Sequence, residues 1–505
     1  MTMRKIGGAQ ALAAAGLLAG TLAAAADNGG KLQIAIDSAP AGLDPHLITA
    51  FNSVVVVQNT IYEGLTAIDQ DLSVVPGLAE NWEVSDDGLT YTFTLAEGVT
   101  FHDGSEFTAE DVAASIERVQ AEKTGSPLAS RVSPIIETEI VGPNEIVFKL
   151  EEPFAPILSS LATIAIVPSE YEDDVDSLQQ EPVGTGPFAF SEWQPNSYIE
   201  LTRFEDYRED GKPHLDAARF NFVPESATRQ VGIQAGDYHL LPGLDPATAL
   251  QLQGQPNVTV QETRDLSYTL IGMNTTREPF DKAEVRTAFN MLLDRQEIID
   301  GALFGAGIPA GPLSPALVNW ALDASEFACY ETDREGAMEM LEEAGVETPV
   351  KLTMNVLPRQ DTRDIAQIVQ QQVAGAFEIE LLNQEIGQFV QDWRNSDFDL
   401  FVSANGGSPD PDEYFYRTFY GGGSTNVFGY DDSSVDELLD AGRREREYAD
   451  RKSIYDQLQR KLACEGPIAH LAYGNLYTAV SDEVDGFEIY ANMRLRSLAD
   501  VTLAQ

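Results

Sequence analysis

Residues 350–402 constrain the fold most, because short apolar runs alternate there with amphipathic stretches. Helices are predicted over 362–377 and 387–394. Strands are predicted at its start, at 379–382 and at 397–402. Strands that alternate with helices in this way are typical of a sheet with crossover helices. The segment therefore predicts an α/β fold.

The loop after the last of these strands cannot extend it. Residues 404–411 combine small residues with two prolines, which forces irregular backbone. Backbone groups freed from a sheet must bind water or a ligand, and ligands of α/β proteins lie beyond the carboxyl ends of strands. An ordinary connection between a strand and a helix would have the same composition. Composition alone therefore leaves open whether this loop is a connection or part of a binding site.

Two helix starts are predicted from capping patterns. Thr108 and Asp111 have the spacing of a capping box, and so do Asp281 and Glu284. The helix predicted after Asp281 repeats apolar residues at i, i+3, i+4, i+7 and i+8, which indicates one buried face. The residues of that face are Val285, Ala288, Phe289, Leu292 and Leu293.

The chain is long and strongly acidic. It has 505 residues, of which 43% are hydrophobic, so it can bury a large core and form two or more lobes. Acidic residues outnumber basic ones 81 to 32, which gives a formal charge of −49 spread along the whole length. Such a surface repels nucleic acid and anionic lipid. We therefore expect no nucleic-acid partner.

The first 26 residues have the pattern of a secretory signal peptide. Arg4 and Lys5 precede an Ala-rich apolar run, and small residues lead to a predicted cleavage point before Asp27. The residue directly after that point is not a cysteine, so we expect no lipid anchor. No later stretch is apolar enough to span a bilayer. We expect an exported periplasmic protein.

The sequence lacks the common metal and catalytic motifs. Its five histidines form no HxxxH or HExxH, and it contains neither GxSxG nor a Walker Gly-Lys-Ser/Thr. We expect no metal, no cofactor and no catalysis, with a secreted hydrolase as the alternative. Cys329 and Cys464 are expected either as one long-range disulfide or as two buried thiols in an oxidising compartment. The disulfide is our prediction.

Several motifs occur in an order that resembles the family 5 bacterial extracellular solute-binding proteins. These are the periplasmic receptors of peptide, oligopeptide and nickel-type ABC importers. The resemblance begins with VPGLAENWEVSDDGLTYTFTLAEGVTFHDGSEFTAEDVAASIERV at residues 75–119 and covers essentially the whole mature chain. Further motifs are Gly184-Thr185-Gly186-Pro187-Phe188, Asn274-Thr275, Pro279-Phe280-Asp281-Lys282, Val285-Arg286 and Asp410-Pro411-Asp412.

The resemblance implies a two-lobed periplasmic binding protein of type II, in the large peptide-receptor subclass. The first lobe would comprise 27–270 plus 482–505 and carry an extra subdomain at about 57–182. The second lobe would comprise 271–481. The implied function is a monomeric receptor that binds a solute or peptide between its lobes and delivers it to ABC permease subunits in the inner membrane.

The resemblance also implies ligand-binding residues on both sides of a cleft. Those expected from the first lobe and its boundary are Thr49, Phe51, Asn52 and Tyr268, and those expected from the second lobe are Arg359, Asn405, Gly406 and Gly407. Among them, Arg359 lies near the position where dipeptide receptors bind the peptide carboxylate.

This chain departs from the peptide receptors in the loop after 402. The Asp that accepts the peptide α-ammonium in those receptors corresponds to Gly407 here, a Trp corresponds to Ala404, and an aromatic clamp falls near Ile386. An α-ammonium buried at position 407 would lack its partner. We therefore expect weak binding of free di- and tripeptides. Larger peptides and opine-like, sugar-derived or metal-chelate solutes are the alternatives.

Overall fold

The protein is described by a computed structural model that covers residues 29–504. The predicted signal peptide and its cleavage point lie outside the described residues. Within 29–504, no helix is both long enough and apolar enough to cross a membrane.

The strands are numbered along the chain. They are β1 Lys31–Ile36, β2 Thr66–Ile68, β3 Val74–Pro76, β4 Ala79–Val84, β5 Thr90–Leu95, β6 Ile135–Gly142, β7 Glu145–Leu150, β8 Phe188–Gln194, β9 Tyr198–Arg203, β10 Ala217–Phe222, β11 Leu240–Pro242, β12 Val258–Met273, β13 Val350–Val356, β14 Phe377–Asn383, β15 Leu400–Asn405, β16 Ile468–Ser481, β17 Val484–Asp485 and β18 Thr502–Leu503.

The α-helices are numbered in the same way. They are α1 Phe51–Val57, α2 Ala109–Gln120, α3 Ala129–Val132, α4 Ile157–Leu161, α5 Ser226–Ala235, α6 Pro246–Leu252, α7 Ala283–Met291, α8 Arg295–Ala302, α9 Arg334–Glu343, α10 Gln360–Gln372, α11 Ile386–Arg394, α12 Pro411–Phe419, α13 Ser433–Arg444 and α14 Tyr448–Glu465. Short 3-10 helices lie at Ser169–Tyr171, Ser177–Gln179, Ala324–Glu326, Ala328–Tyr330 and Arg496–Asp500.

A ten-stranded sheet connects two lobes, in the order β14-β13-β15-β12-β16-β11-β1-β10-β9-β8. Its two central strands, β12 and β16, are the longest of the sheet and pair with each other antiparallel. One end of β16 pairs with β11 of the first lobe, whereas the far half of β12 pairs with β15 of the second lobe. Both strands therefore cross from one lobe to the other.

The register between β12 and β16 shifts between Arg264 and Tyr268, so residues 265–267 form an irregularity in β12. This break separates two halves of β12. The first half pairs with the part of β16 that also pairs with β11, and the second half pairs with β15. A bulge at such a point bends the strand and redirects the side chains on it.

Separate apolar clusters stabilise the parts of the molecule. In the first lobe, Leu32 and Phe220 pack with Leu498 and Val501, so the end of the chain returns to the sheet where it began. A second cluster lies between α2 and the four-stranded sheet β4-β5-β7-β6. The second lobe has its own core between β13, β14 and helices α7, α9 and α10.

The alternation predicted from residue 350 onward is confirmed. Strands β14, β13 and β15 are parallel neighbours, and α10 and α11 connect them. The capping box at Thr108 is also confirmed, because its side chain and that of Asp111 bond each other's backbone. The predicted cap at Asp281 is wrong. The Asp281 N–H closes a turn onto the Arg277 carbonyl at 3.2 Å, and α7 begins after Lys282.

Cys329 and Cys464 are joined in a disulfide across a sequence separation of 135 residues. The bond ties the 3-10 helix Ala328–Tyr330 to the last turn of α14. The disulfide predicted from the sequence is therefore confirmed.

Candidate ligand-binding site

A cavity of about 270 Å³ lies between the lobes, where β12 crosses from one to the other. The first lobe contributes Thr49 and Phe51 to its wall, and the loop after β15 contributes Gly406 and Gly407. The bulge in β12 forms a third part of the wall, and the segment 491–494 near the end of the chain forms a fourth. The cavity is thus built from segments that are far apart in sequence.

Of the predicted site residues, the structure brings Thr49, Phe51, Gly406 and Gly407 together in the wall of this cavity. Their contact with a ligand stays a prediction. The other predicted site residues, Asn52, Tyr268, Arg359 and Asn405, are not part of its wall.

Asn52 is turned toward the first strand rather than the cavity. Its amide nitrogen donates to Asp37 Oδ1 at 2.7 Å and also to Ser38 Oγ. This amide nitrogen is therefore already bonded within the first lobe. Asn52 therefore lies outside the cavity wall here, and its contact with a ligand stays a prediction.

Tyr268 and Asn405 form a pair beneath the loop. They are directly opposite each other on β12 and β15, and the Asn405 amide donates to the Tyr268 hydroxyl at 3.2 Å. Tyr268 is 3% exposed and packs against His470 and Tyr473, with ring centroids 5.0 and 5.6 Å away. In this structure they pack beneath the cavity wall, and their contact with a ligand stays a prediction.

Arg359 does not reach the cavity. Its side chain is 66% exposed and holds Asp361 through two hydrogen bonds of 3.1 and 2.5 Å. Because Asp361 lies only two residues away in the first turn of α10, this ion pair keeps the guanidinium on the surface. In this structure Arg359 lies outside the cavity wall, and its contact with a ligand carboxylate stays a prediction.

Gly407 is a position where this loop leaves no room for a side chain. A Cβ there would lie 2.0 Å from the Tyr414 hydroxyl and 2.2 Å from the Leu266 carbonyl oxygen. These two atoms are hydrogen-bonded to each other at 2.6 Å. At Gly406 a Cβ would meet no atom within 4 Å. The loop therefore fits against β12 through its glycine at 407.

Asp410 and Asp412 are buried structural residues behind this loop. Asp410 caps α12 and accepts two hydrogen bonds from Arg451, at 2.7 and 2.8 Å. Asp412 accepts two from Arg443, at 2.7 and 3.1 Å. The motif Asp410-Pro411-Asp412 thus fixes the direction in which the loop enters α12.

Sequence reasoning missed the charged residues of the cavity wall, which are Arg131, Asp265, Glu413 and Arg494. Arg131 and Glu413 form a loose ion pair of 3.7 Å across the lobes. Burial, together with the nearby charge of Arg131, lowers the pKa of Arg494 to about 9. Burial raises the pKa of Asp265, whose carboxylate accepts a hydrogen bond from the Ser267 N–H at 2.9 Å.

One signal for Asp265 was present in the sequence. The apolar pattern gives two strands, at 258–261 and 268–273, whereas the structure has one strand with a bulge between them. Polar residues in such a gap mark a place where side chains leave the regular alternation. Arg494 had no comparable signal, because its position at the cavity depends on the path of the whole chain.

Within residues 29–504, no group of His, Cys, Asp or Glu side chains is arranged to hold a metal ion.

Residues 73–426 match the family described as bacterial extracellular solute-binding proteins, family 5 Middle. The chain belongs to this family. A dipeptide-binding protein of Pseudomonas aeruginosa is 28% identical over 525 residues, covering 96% of this chain and 97% of that protein. The glutathione-binding protein GsiB of Salmonella typhimurium is 28% identical over 507 residues, covering 95% and 96%.

The fold is also found in a solved relative. The oligopeptide-binding protein AppA of Bacillus subtilis, in complex with a nonapeptide, superimposes with a TM-score of 0.78 at 26% identity. The match covers 94% of this chain and 99% of that one. The two-lobed α/β architecture predicted from the sequence is confirmed.

Proposed function

We propose that the protein is the substrate-binding receptor of an ABC importer and takes up a solute of the peptide class. The cavity between the lobes carries this proposal, because segments of both lobes enclose it where two shared strands cross. The family match supports a binding role. The dipeptide, glutathione and oligopeptide specificities of the related proteins favour a peptide-class ligand.

Binding would close the lobes about the crossing strands. We assign residues 27–270 and 482–505 to the first lobe, about 57–182 to its subdomain and 271–481 to the second lobe. Contacts between subdomain and second lobe are present: Arg446 donates to the Ser85 and Asp86 carbonyls at 2.9 and 2.6 Å, and Arg444 pairs with Glu152 at 2.9 Å. In our proposal these contacts belong to the closed form.

The protein would act as a monomer in the periplasm after removal of residues 1–26, without a lipid anchor. It would present the closed complex to permease subunits in the inner membrane and leave the solute chemically unchanged. The match to a binding-protein family supports a non-catalytic role.

Native mass spectrometry of the protein as purified, followed by calorimetry, tests this function. The calorimetric panel contains di- and tripeptides, longer peptides, opines and oligosaccharides. We expect a peptide to bind, to raise the melting temperature by mass action and to make the protein more compact in solution scattering. Exclusive binding of oligosaccharides or opines would overturn the peptide class, and conversion of the solute would favour the hydrolase.

A further inference from the structure

We propose that Asp265 accepts the α-ammonium group of a short peptide ligand and that Arg494 binds its α-carboxylate. This inference rests on the proposed function and deepens it, and it replaces the expectation that free di- and tripeptides bind weakly. It moves the ligand's two charged ends away from the positions expected by resemblance, Gly407 and Arg359. The two ends would instead bind at the bulge of β12, which carries Asp265, and at the segment 491–494, which carries Arg494.

Asp265 is held at the wall that Gly407 also lines. The Leu266 carbonyl occupies the space that a side chain at 407 would need. The backbone of Asp265 is fixed by a 2.6 Å hydrogen bond from Ser314 Oγ to its carbonyl. At this wall the carboxylate therefore comes from β12 and not from the loop after β15.

The Asp265 carboxylate lacks a cation in the unliganded protein. Among residues 29–504 it forms no ion pair, and its hydrogen-bond donors, which come from Ser267 and the Leu266 backbone, are uncharged. A carboxylate has about four acceptor sites on its two oxygens. An ammonium group entering the cavity would therefore find a carboxylate that still has acceptor capacity and preferentially binds positive charge.

Arg494 is the corresponding cation without an anion. Within the described part of the chain its guanidinium has neither an ion pair nor a hydrogen bond, and the charge that acts on it is the positive charge of Arg131. Arg494 lies at the cavity wall beside Arg131, where a ligand anion would relieve the repulsion between the two arginines.

The two charges also do not neutralise each other. No ion pair joins Asp265 to Arg494, although both line the same cavity. Both side chains are half-buried, so each charge has lost part of its hydration. A zwitterion that spans the cavity would satisfy both. The volume of about 270 Å³ is close to the lower end of the usual range for ligand pockets, which is roughly 300–1,000 Å³. A short peptide fits this size.

The test measures which end of the peptide each side chain holds. The probes are free di- and tripeptides together with their N-acetylated and C-amidated forms, measured by calorimetry on wild type, Asp265→Asn and Arg494→Gln. Each variant should lose about 10- to 100-fold in affinity for a free peptide. Acetylation should weaken binding to wild type but not to Asp265→Asn. Amidation should weaken binding to wild type but not to Arg494→Gln.

Glu262→Gln on the same strand and Arg496→Gln two residues along are the matched controls, and both should bind like wild type. Circular dichroism checks folding, and Asp265→Ser and Arg494→Met, which also remove the charge, replace any variant that does not fold. If no peptide, free or capped, binds wild type, the proposed function fails and this inference with it. If free peptides bind but the capping penalties persist in both variants, the inference alone is overturned.

Discussion

Installing the aspartate of the peptide receptors at position 407 is expected to destabilise this protein without improving peptide binding. In Gly407→Asp the new Cβ would lie 2.0 Å from the Tyr414 hydroxyl and 2.2 Å from the Leu266 carbonyl. Either Tyr414 or the bulge of β12 must move. Overpacking costs about 1–3 kcal/mol, and loss of the Tyr414–Leu266 hydrogen bond adds about 0.5–1.5 kcal/mol. We expect a total loss of about 2–4 kcal/mol in the free energy of unfolding.

Urea unfolding of Gly407→Asp and Gly406→Asp measures this cost, with dipeptide calorimetry on both. Gly406 is the matched control, because its Cβ would meet no atom within 4 Å and the added charge is the same. We expect Gly406→Asp to unfold like wild type. A stable Gly407→Asp variant that gains tenfold or more in dipeptide affinity would show that the loop rearranges to present this aspartate. The packing argument would then be refuted.

Three further outcomes are expected. Burial raises the pKa of Asp265 above that of the unfolded chain, so the unliganded protein gains stability as the pH falls through this raised pKa. Calorimetry across acidic pH should show peptide affinity falling at the same time, and this fall should be absent in Asp265→Asn. Arg451→Met should cost about 3–5 kcal/mol of unfolding free energy by leaving Asp410 without its partner, whereas the exposed Arg444→Met should cost less than about 1 kcal/mol in the same denaturation assay. Arg359→Ala should leave the peptide affinity measured by calorimetry unchanged, because the guanidinium is bonded to Asp361. A clear loss of affinity would show that Arg359 contacts the ligand.

Local sequence patterns predicted the parts of the fold that depend on neighbouring residues. The alternation after residue 350 gave three parallel strands with their helices, and the spacing of Thr108 and Asp111 gave a capping box. The cap at Asp281 failed for a local reason as well, since its N–H is used by a preceding turn. A capping pattern shows which side chain can cap a helix, but not whether the backbone before it has already turned.

The charged wall of the cavity could not be predicted in this way. Arg131, Asp265 and Arg494 come from three distant segments, and their proximity depends on how β12 crosses the lobes and how the chain end returns. The resemblance pointed to Thr49 and Gly407, which the structure places in the cavity wall. It also pointed to Arg359, whose guanidinium lies outside that wall and is bonded to a carboxylate two residues away.

The buried ion pairs behind the loop explain how the charges of Asp265 and Arg494 can discriminate between solutes. Arg451 and Arg443 hold Asp410 and Asp412 through paired hydrogen bonds, so the start of α12 and the loop before it are fixed before any ligand arrives. A wall that is already ordered does not have to lose conformational freedom on binding. The differences in affinity between solutes then depend chiefly on the two charges left without partners. A solute that lacks either an ammonium or a carboxylate leaves one of these half-buried charges uncompensated.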